Sequence, residues 1–534
     1  MNHFKLLDCT LRDGGYVNDW KFGHNTLVNV FERITGAGVD FIEVGFLDQR
    51  RPFDIDRSIM PSTECMERIY GGLNRHLTEV VGMIDYGTCG LERIQPAAES
   101  FLDGIRVIFK KHIKREALEF CRELKELGYK VFTQAVSITS YDDAELMELI
   151  GLVNEVRPYA VSIVDTYGLL HKNSLLHYYE MMNEHLDPGI GIGYHSHNNF
   201  QLGYANCIEL MSRHGDNPRL LLMDGSIFGM GKGAGNAPVE LLATYMNENY
   251  GKRYDISQIL EAIDVNILDI YRRSPWGYSM KFFIAASNDC HPNYVSYLLD
   301  KKTLSVKAVD EILKMLADEK KLLYDKEYIE QLYVDYQKHA CDDAEDYARL
   351  EELLGDRDVL VVGPGATLNT ERERIEEYIR RARPVVVAIN FIPEGIATDY
   401  LFLTNSKRYV QQATRIAHAA DGIRIVATSN VTRSCGGFDF RLDFEKLIDR
   451  DAVFMDNSFI MLLKVLVRAG VRHVALAALD GYSADRATDY YSSELEYESA
   501  RRKGSEINAY VNRMLPQFRE RVPVDFITTT VYDK

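Results

Sequence analysis

The sequence predicts an α/β protein of several domains: a (β/α)8 barrel of the TIM type, a helical segment, and a C-terminal Rossmann-like α/β domain. Three observations carry this. Strand-like and helix-like segments alternate through the first 250 residues, polar clusters stand at the ends of several different strands there, and the alternation restarts after residue 356. A chain of 534 residues has room for about three domains, or fewer when one is a large barrel.

Within residues 1–250 the first strand is Phe4–Cys9, followed by a helical pattern from about Asn25 to Ala37 and a second strand at Phe41–Val44. Val80–Ile84, Ile105–Phe109, Val131–Val136, Ala160–Val164, Ile190–Tyr194 and Leu220–Met223 complete the set, with helices such as Arg115–Leu127 and Ala144–Glu155 between them. About eight strands at this spacing form a closed barrel, and polar strand ends favour that over an open doubly wound sheet. Residues 251–350 carry little strand signal. Val306–Lys320 and Tyr328–Lys338 have apolar residues at helical spacing, which suits a cap or a dimerisation surface. In 356–534, strands are expected at Val359–Val362, Val385–Ile389, Tyr400–Leu403, Ile423–Ala427 and His473–Ala477, and helices at Glu371–Arg381 and Ser458–Ala469.

Composition narrows the function. Hydrophobic residues make up 46% and charged residues 26%, the usage of a globular chain. A formal charge of -17 argues against a nucleic-acid partner and leaves small molecules as the default ligands. No apolar run approaches the roughly 20 residues that span a bilayer, and Met1–Thr10 lacks a secretory pattern. The eight cysteines include no Cys-x-x-Cys pair, so neither a thiolate zinc site nor a disulfide framework is expected. Free thiols and the missing secretory pattern point to the cytoplasm, and a homo-oligomer is expected.

The chemistry begins at the end of the first strand, in Asp8-Cys9-Thr10-Leu11-Arg12-Asp13-Gly14-Gly15-Tyr16. A carboxylate there can hold a divalent metal, and the adjacent guanidinium can stabilise an oxyanion. The plain alternative is a salt bridge before a glycine turn. His195-Ser196-His197 ends the seventh strand. Residues two apart on a strand face one side, so both imidazoles can reach one ion and, with Asp13, form a two-His, one-carboxylate set. Gly229-Met230-Gly231-Lys232-Gly233-Ala234-Gly235-Asn236 follows the eighth strand. Its glycines permit close backbone approach, and Asn236 can offer a carbonyl oxygen as a fourth ligand. Mixed oxygen and nitrogen ligands suit Mn2+ best, with Mg2+, Co2+ or Zn2+ as alternatives.

Asp8–Gly15, His195–Asn206 and Gly229–Asn236 together resemble the HMG-CoA lyase-like metal-dependent barrels, the DRE-TIM metallolyases, and most of all their 4-hydroxy-2-oxovalerate aldolase branch. The resemblance covers residues 1–250. It implies that Asp13, His195 and His197 hold the metal with Asn236 in or near the ligand set, that Arg12 faces an enolate oxygen, and that Glu43 orients Arg12. Thr166 would be a substrate contact. It also implies cleavage or formation of a carbon–carbon bond beside a 2-oxo acid through a pyruvate-type enolate, with an aldehyde as the other reactant. A base is needed for that step. Where these aldolases carry a histidine, this chain has Tyr16, whose ordinary pKa near 10 makes it a poor base without help.

The C-terminal part has a candidate ligand loop, Gly363-Pro364-Gly365-Ala366-Thr367, that could seat a phosphate but lacks the complete dinucleotide fingerprint. Val471–Tyr482 resembles the Rossmann-like domains of some bacterial sialyltransferases, which implies a nucleotide-type ligand. Ser434-Cys435-Gly436-Gly437 resembles the nucleophile loop of acylating aldehyde dehydrogenases. The competing function is therefore an altered barrel that binds or scaffolds, with a nucleotide-sugar-binding or aldehyde dehydrogenase-like domain carrying the activity.

Overall fold

The computed structural model describes residues 3–301, 304–321, 324–337, 341–418, 422–431, 438–450, 452, 455–483, 488–492, 495 and 503–532. Cys435 lies outside them. The chain divides into two compact units, Met1–Pro292 and Asn293–Lys534, so the helical region anticipated over 251–350 is shared between both.

The first unit is a closed parallel barrel. Its strands are β1 (Phe4–Asp8), β2 (Phe41–Leu47), β4 (Glu79–Asp85), β5 (Gly104–Phe109), β6 (Lys130–Ala135), β7 (Ala160–Asp165), β8 (Gly191–Ser196) and β9 (Leu221–Gly225). The order runs β1-β9-β8-β7-β6-β5-β4-β2, and β1 also pairs with β2, which closes the ring. A two-residue strand, β3 (Ile59–Met60), extends β2 outside it. All eight ring strands lie where the apolar runs place them.

Strand alternation sorts the two faces. Leu6, Ile42, Val80, Ile105, Val107, Val131, Val161, Ile192 and Leu221 join the large cluster beneath the surrounding helices. Their neighbours Leu7, Phe41, Val81, Phe132, Ala160 and Leu222 form a separate apolar plug inside the ring. By the same parity Glu43, Arg106, Gln134, His195 and Asp224 share the interior side, and all are buried. The helix Asp143–Val156 shows why the outer layer begins where it does. Asp142 accepts from the Glu145 N–H, Glu145 reciprocates at the Asp142 N–H, and Leu146, Leu149, Ile150 and Val153 form its buried face. Ile259, Ala262, Ile267 and Ile270 belong to the same core as the barrel.

The second unit contains an open sheet of seven parallel strands: β10 (Asp358–Val362), β11 (Val385–Ile389), β12 (Tyr400–Leu403), β13 (Arg424–Thr428), β14 (Phe440–Leu442), β15 (His473–Ala477) and β16 (Val524–Phe526). Their order is β14-β13-β12-β11-β10-β15-β16, so the winding reverses once, between β10 and β15. The edge strands β14 and β16 have three residues each, too few to show a period in the sequence. The helix Ala344–Leu354 buries Tyr347, Leu350 and Leu354 in the core of this unit. No helix among the described residues is long and apolar enough to cross a membrane.

Candidate metal centre

The carboxyl ends of the barrel strands gather the predicted residues. Asp13 follows β1, Glu43 is in β2, His195 is the fifth residue of β8, His197 lies just beyond it, and Asn236 comes from the loop after β9. An isolated antiparallel bridge between His197 and Asn236 ties that loop to the end of β8. Two glycines allow this. A Cβ at Gly231 would lie 2.4 Å from Asn236 Nδ2 and 2.7 Å from Asp13 Oδ1, and Gly235, at φ +84°, would meet the Gly229 carbonyl at 1.9 Å.

Asp13, His195 and His197 each present one ligand atom, and these atoms all lie within 4.8 Å of one another. His195 Nε2 is 3.4 Å from Asp13 Oδ2, and His197 Nε2 is 3.6 Å from Asp13 Oδ1. The other nitrogen of each ring is committed. His195 Nδ1 bonds Asp224 Oδ2 at 2.9 Å, and His197 Nδ1 bonds the Asp165 carbonyl at 3.0 Å. A carbonyl only accepts, so His197 Nδ1 carries the proton and Nε2 presents its lone pair. The carboxylate of Asp224 selects the same tautomer at His195.

The fit to a cation rests on two orphaned atoms. His197 Nε2 and Asn236 Oδ1 are buried and have no hydrogen-bond partner among the described residues. Both are electron-pair donors beside Asp13, and burying such groups unpaired is costly. The donor set of carboxylate, two imidazoles and an amide oxygen therefore suits a divalent ion.

A buried ion network surrounds the triad. Arg12 donates from Nε to Glu43 Oε2 at 2.6 Å and from Nη1 to Asp13. Glu43 Oε1 is 3.1 Å from Arg106 Nη1, while Arg106 Nη2 donates to Asp224 and to Gln134 Oε1. Two guanidinium groups face three carboxylates, so this network has one negative charge in excess and a dication would reverse its sign. Burial works to raise the Asp13 pKa, but Arg12 and the two histidines outweigh it and hold the group well below the usual carboxylate range. Burial likewise opposes the charged form of His195, yet Asp13 and Asp224 raise its pKa overall. At His197 burial prevails and lowers it.

Arg106 and Asp224 were not singled out in the sequence. Their signal was a charged residue inside an apolar strand, in Gly104-Ile105-Arg106-Val107 and Leu221-Leu222-Met223-Asp224. Tyr16 stands at the mouth and keeps 43% of its surface exposed. Desolvation by its neighbours and the charge of Asp13 push its pKa up to about 12, against the opposing pull of Arg12. It is therefore a phenol at neutral pH, a donor rather than an anionic base. The Thr166 hydroxyl accepts from the Ser137 N–H at 2.7 Å, which still leaves it a proton to donate.

In the second unit, the candidate loop is packed against its own protein. The Thr367 N–H donates to Asp480 Oδ2 at 2.8 Å, and its hydroxyl donates to Asp480 Oδ1. A Cβ at Gly363 or Gly365 would meet the Ala478 carbonyl at 2.5 or 2.6 Å. Close packing on the turn after β15 thus accounts for both glycines. A cavity of about 220 Å³ opens beside this turn, where the winding reverses, with Asn390, Arg408, Asp480 and Tyr482 among its walls.

Comparison with known proteins agrees with the barrel. Residues 3–265 match the family described as HMGL-like. Oxaloacetate decarboxylase of Mycobacterium tuberculosis is 24% identical over 287 residues, 52% of this chain and 81% of its own length. The 4-hydroxy-2-oxovalerate aldolase 2 of Salinispora arenicola is 27% identical over 266 residues, 49% of this chain and 73% of its own. A 4-hydroxy-2-oxovalerate aldolase of Bacillus cereus is 24% identical, covering 47% of this chain and 72% of its own. These relatives each account for about half of the present chain. With its closed parallel ring, its Asp-His-His triad and this match, the segment from residue 3 to residue 265 is an HMGL-like domain.

Proposed function

We propose that the barrel is a metal-dependent carbon–carbon lyase or aldolase that acts through a pyruvate-type enolate of a 2-oxo acid. The observation that carries this reading is the buried Asp13–His195–His197 triad, with orphaned His197 Nε2 and Asn236 Oδ1 beside Arg12. Asp13, His195 and His197 would hold a divalent ion, Mn2+ best by ligand type, with the Asn236 oxygen as a fourth donor. That ion supplies Lewis acidity to the 2-oxo group when bound.

The protein's own groups do the rest. Glu43 and Asp13 fix Arg12 through Nε and Nη1, which leaves Nη2, without a protein partner among the described residues, to donate to the enolate oxygen as charge develops there. Asp224 and the Asp165 carbonyl keep both imidazoles in the ligating tautomer. Thr166 donates its remaining proton to the substrate carboxylate. Tyr16, held as a phenol, donates to the aldehyde oxygen at the mouth of the site. The second unit, with its cavity at the winding reversal, serves a separate small ligand of nucleotide type.

The test is metal content of the purified protein together with exchange of pyruvate methyl protons with solvent. A divalent ion at about one per chain and exchange that disappears with chelation are expected. A protein that holds no ion, or holds it without any exchange, would refute the proposal.

A further inference from the structure

The loop that delivers Asn236 also delivers Lys232. The Lys232 N–H donates to Asp13 Oδ1 at 2.8 Å, which anchors the residue to the triad. Its ammonium lies 5.5 Å from the Tyr16 ring centroid and 5.8 Å from that of Tyr167, between the loops that follow β1 and β7. Among the described residues, no hydrogen bond or ion pair reaches this nitrogen.

Such a placement is costly. An ammonium partly withdrawn from water gains from a counter-charge, and two aromatic faces supply only part of one. Burial lowers the Lys232 pKa, and Arg12 and Lys110 add positive charge instead of offsetting it. The negative groups facing it are Asp13 and Asp85. Asp13 already serves Arg12, Asn236 and the two histidines. Asp85 is shared with Lys110 and Arg50. The cation is therefore left over for a ligand.

Depth in the site decides which ligand. Arg12, Asp13, His195 and His197 are buried and address the 2-oxo acid, whereas Tyr16 is open to solvent and Lys232 is half-buried beside it. In a site at the carboxyl ends of barrel strands, the reactant that meets the enolate second occupies this outer layer. We propose that the aldehyde handled by this site bears a carboxylate, and that Lys232 pairs with it. This rests on the enolate reading above. In the condensing direction, the pyruvate methyl carbon loses a proton to solvent and attacks the aldehyde carbon. The new carbon–carbon bond forms as the carbonyl π pair moves to oxygen, and that oxygen takes up a proton, so the product is the sum of the two reactants. Cleavage is the same step reversed and releases an anionic aldehyde.

The experiment uses the metal-loaded full-length protein, its Lys232→Met and Lys232→Arg variants, and two acceptors with pyruvate: glyoxylate, which carries a carboxylate, and acetaldehyde, which does not. A charge-assisted pair predicts that Lys232→Met lowers the glyoxylate-to-acetaldehyde ratio of kcat/KM by about tenfold to a hundredfold, with Lys232→Arg recovering most of it. A ratio that stays within twofold in a variant that still exchanges pyruvate protons overturns the assignment of Lys232. Equal losses with both acceptors overturn it too, since they place the lysine on the pyruvate carboxylate. Absence of pyruvate exchange in the unaltered protein overturns the enolate reading, and this inference with it.

Discussion

Asp224→Asn isolates the contribution of a residue that touches neither metal nor substrate. The carboxylate is fully buried and accepts from His195 Nδ1 at 2.9 Å and from Arg106 Nη2. Both bonds end on Oδ2, and asparagine, of nearly the same shape, can place there either a neutral oxygen or its amide. The oxygen would keep both bonds but without the carboxylate charge that raises the basicity of His195, and the amide would meet Nδ1 and Arg106 donor against donor and drive His195 to the tautomer whose Nε2 holds the proton. Loss of such an orienting partner weakens metal binding by about 10- to 100-fold. At about 1.4 kcal/mol per tenfold, that is roughly 1.4–2.8 kcal/mol. Arg106 keeps Glu43 at 3.1 Å and Gln134 at 3.1 Å, so it is not stranded. The cost in stability should therefore fall below the roughly 3–5 kcal/mol of a fully broken buried pair. Calorimetric titration with Mn2+, alongside thermal unfolding of the metal-free protein, separates the two quantities. A Kd within twofold of the unaltered protein in a folded variant would refute the role assigned to the Asp224 carboxylate.

Further outcomes follow from single contacts. Arg12→Lys should retain metal but slow pyruvate proton exchange by about a hundredfold or more, because a point charge cannot bond Glu43 and Asp13 while donating to an enolate; an unchanged exchange rate would remove Arg12 from the chemistry. Gly231→Ala forces a Cβ to 2.4 Å from Asn236 Nδ2, so metal affinity should drop at least about tenfold at a stability cost of about 1–3 kcal/mol, read by titration and melting. Burial raises the Asp8 pKa to about 7 against the hydrogen bonds from Thr10, so the native state keeps a proton that the unfolded chain has released. Stability from Asp8 is full below about pH 4 and is lost as pH rises through 7; Asp8→Asn should flatten that part of the denaturation profile in metal-free protein.

Much of the barrel was legible because parallel strands buried on both faces read as short apolar runs, and eight such runs appear at regular spacing. The triad was legible for a related reason. His195 and His197 are two apart at a strand end, and Asp13 follows the first strand, so the fold that the runs imply brings them together. Arg106 and Asp224 were not. Each is a single charge within an apolar strand, and only ring closure, which sets β5 and β9 on one interior, shows that Arg106 bonds Asp224 and Asp224 bonds His195.

The second unit divides in the same way. Its long strands could be read, but β14 and β16 are three residues each, held by pairing at the sheet edges rather than by their own pattern. Gly363 and Gly365 have the composition of a phosphate cradle. Their packing against Ala478, and the capture of Thr367 by Asp480, depend on β15 lying beside β10, a neighbour more than a hundred residues away in the chain. Local chemistry and periodicity thus determined the longer elements and the donor types of the candidate site. Which donors are already spent, and which, like His197 Nε2 and the Lys232 ammonium, are not, was decided by contacts between distant segments, because a hydrogen bond is satisfied in space and not along the sequence.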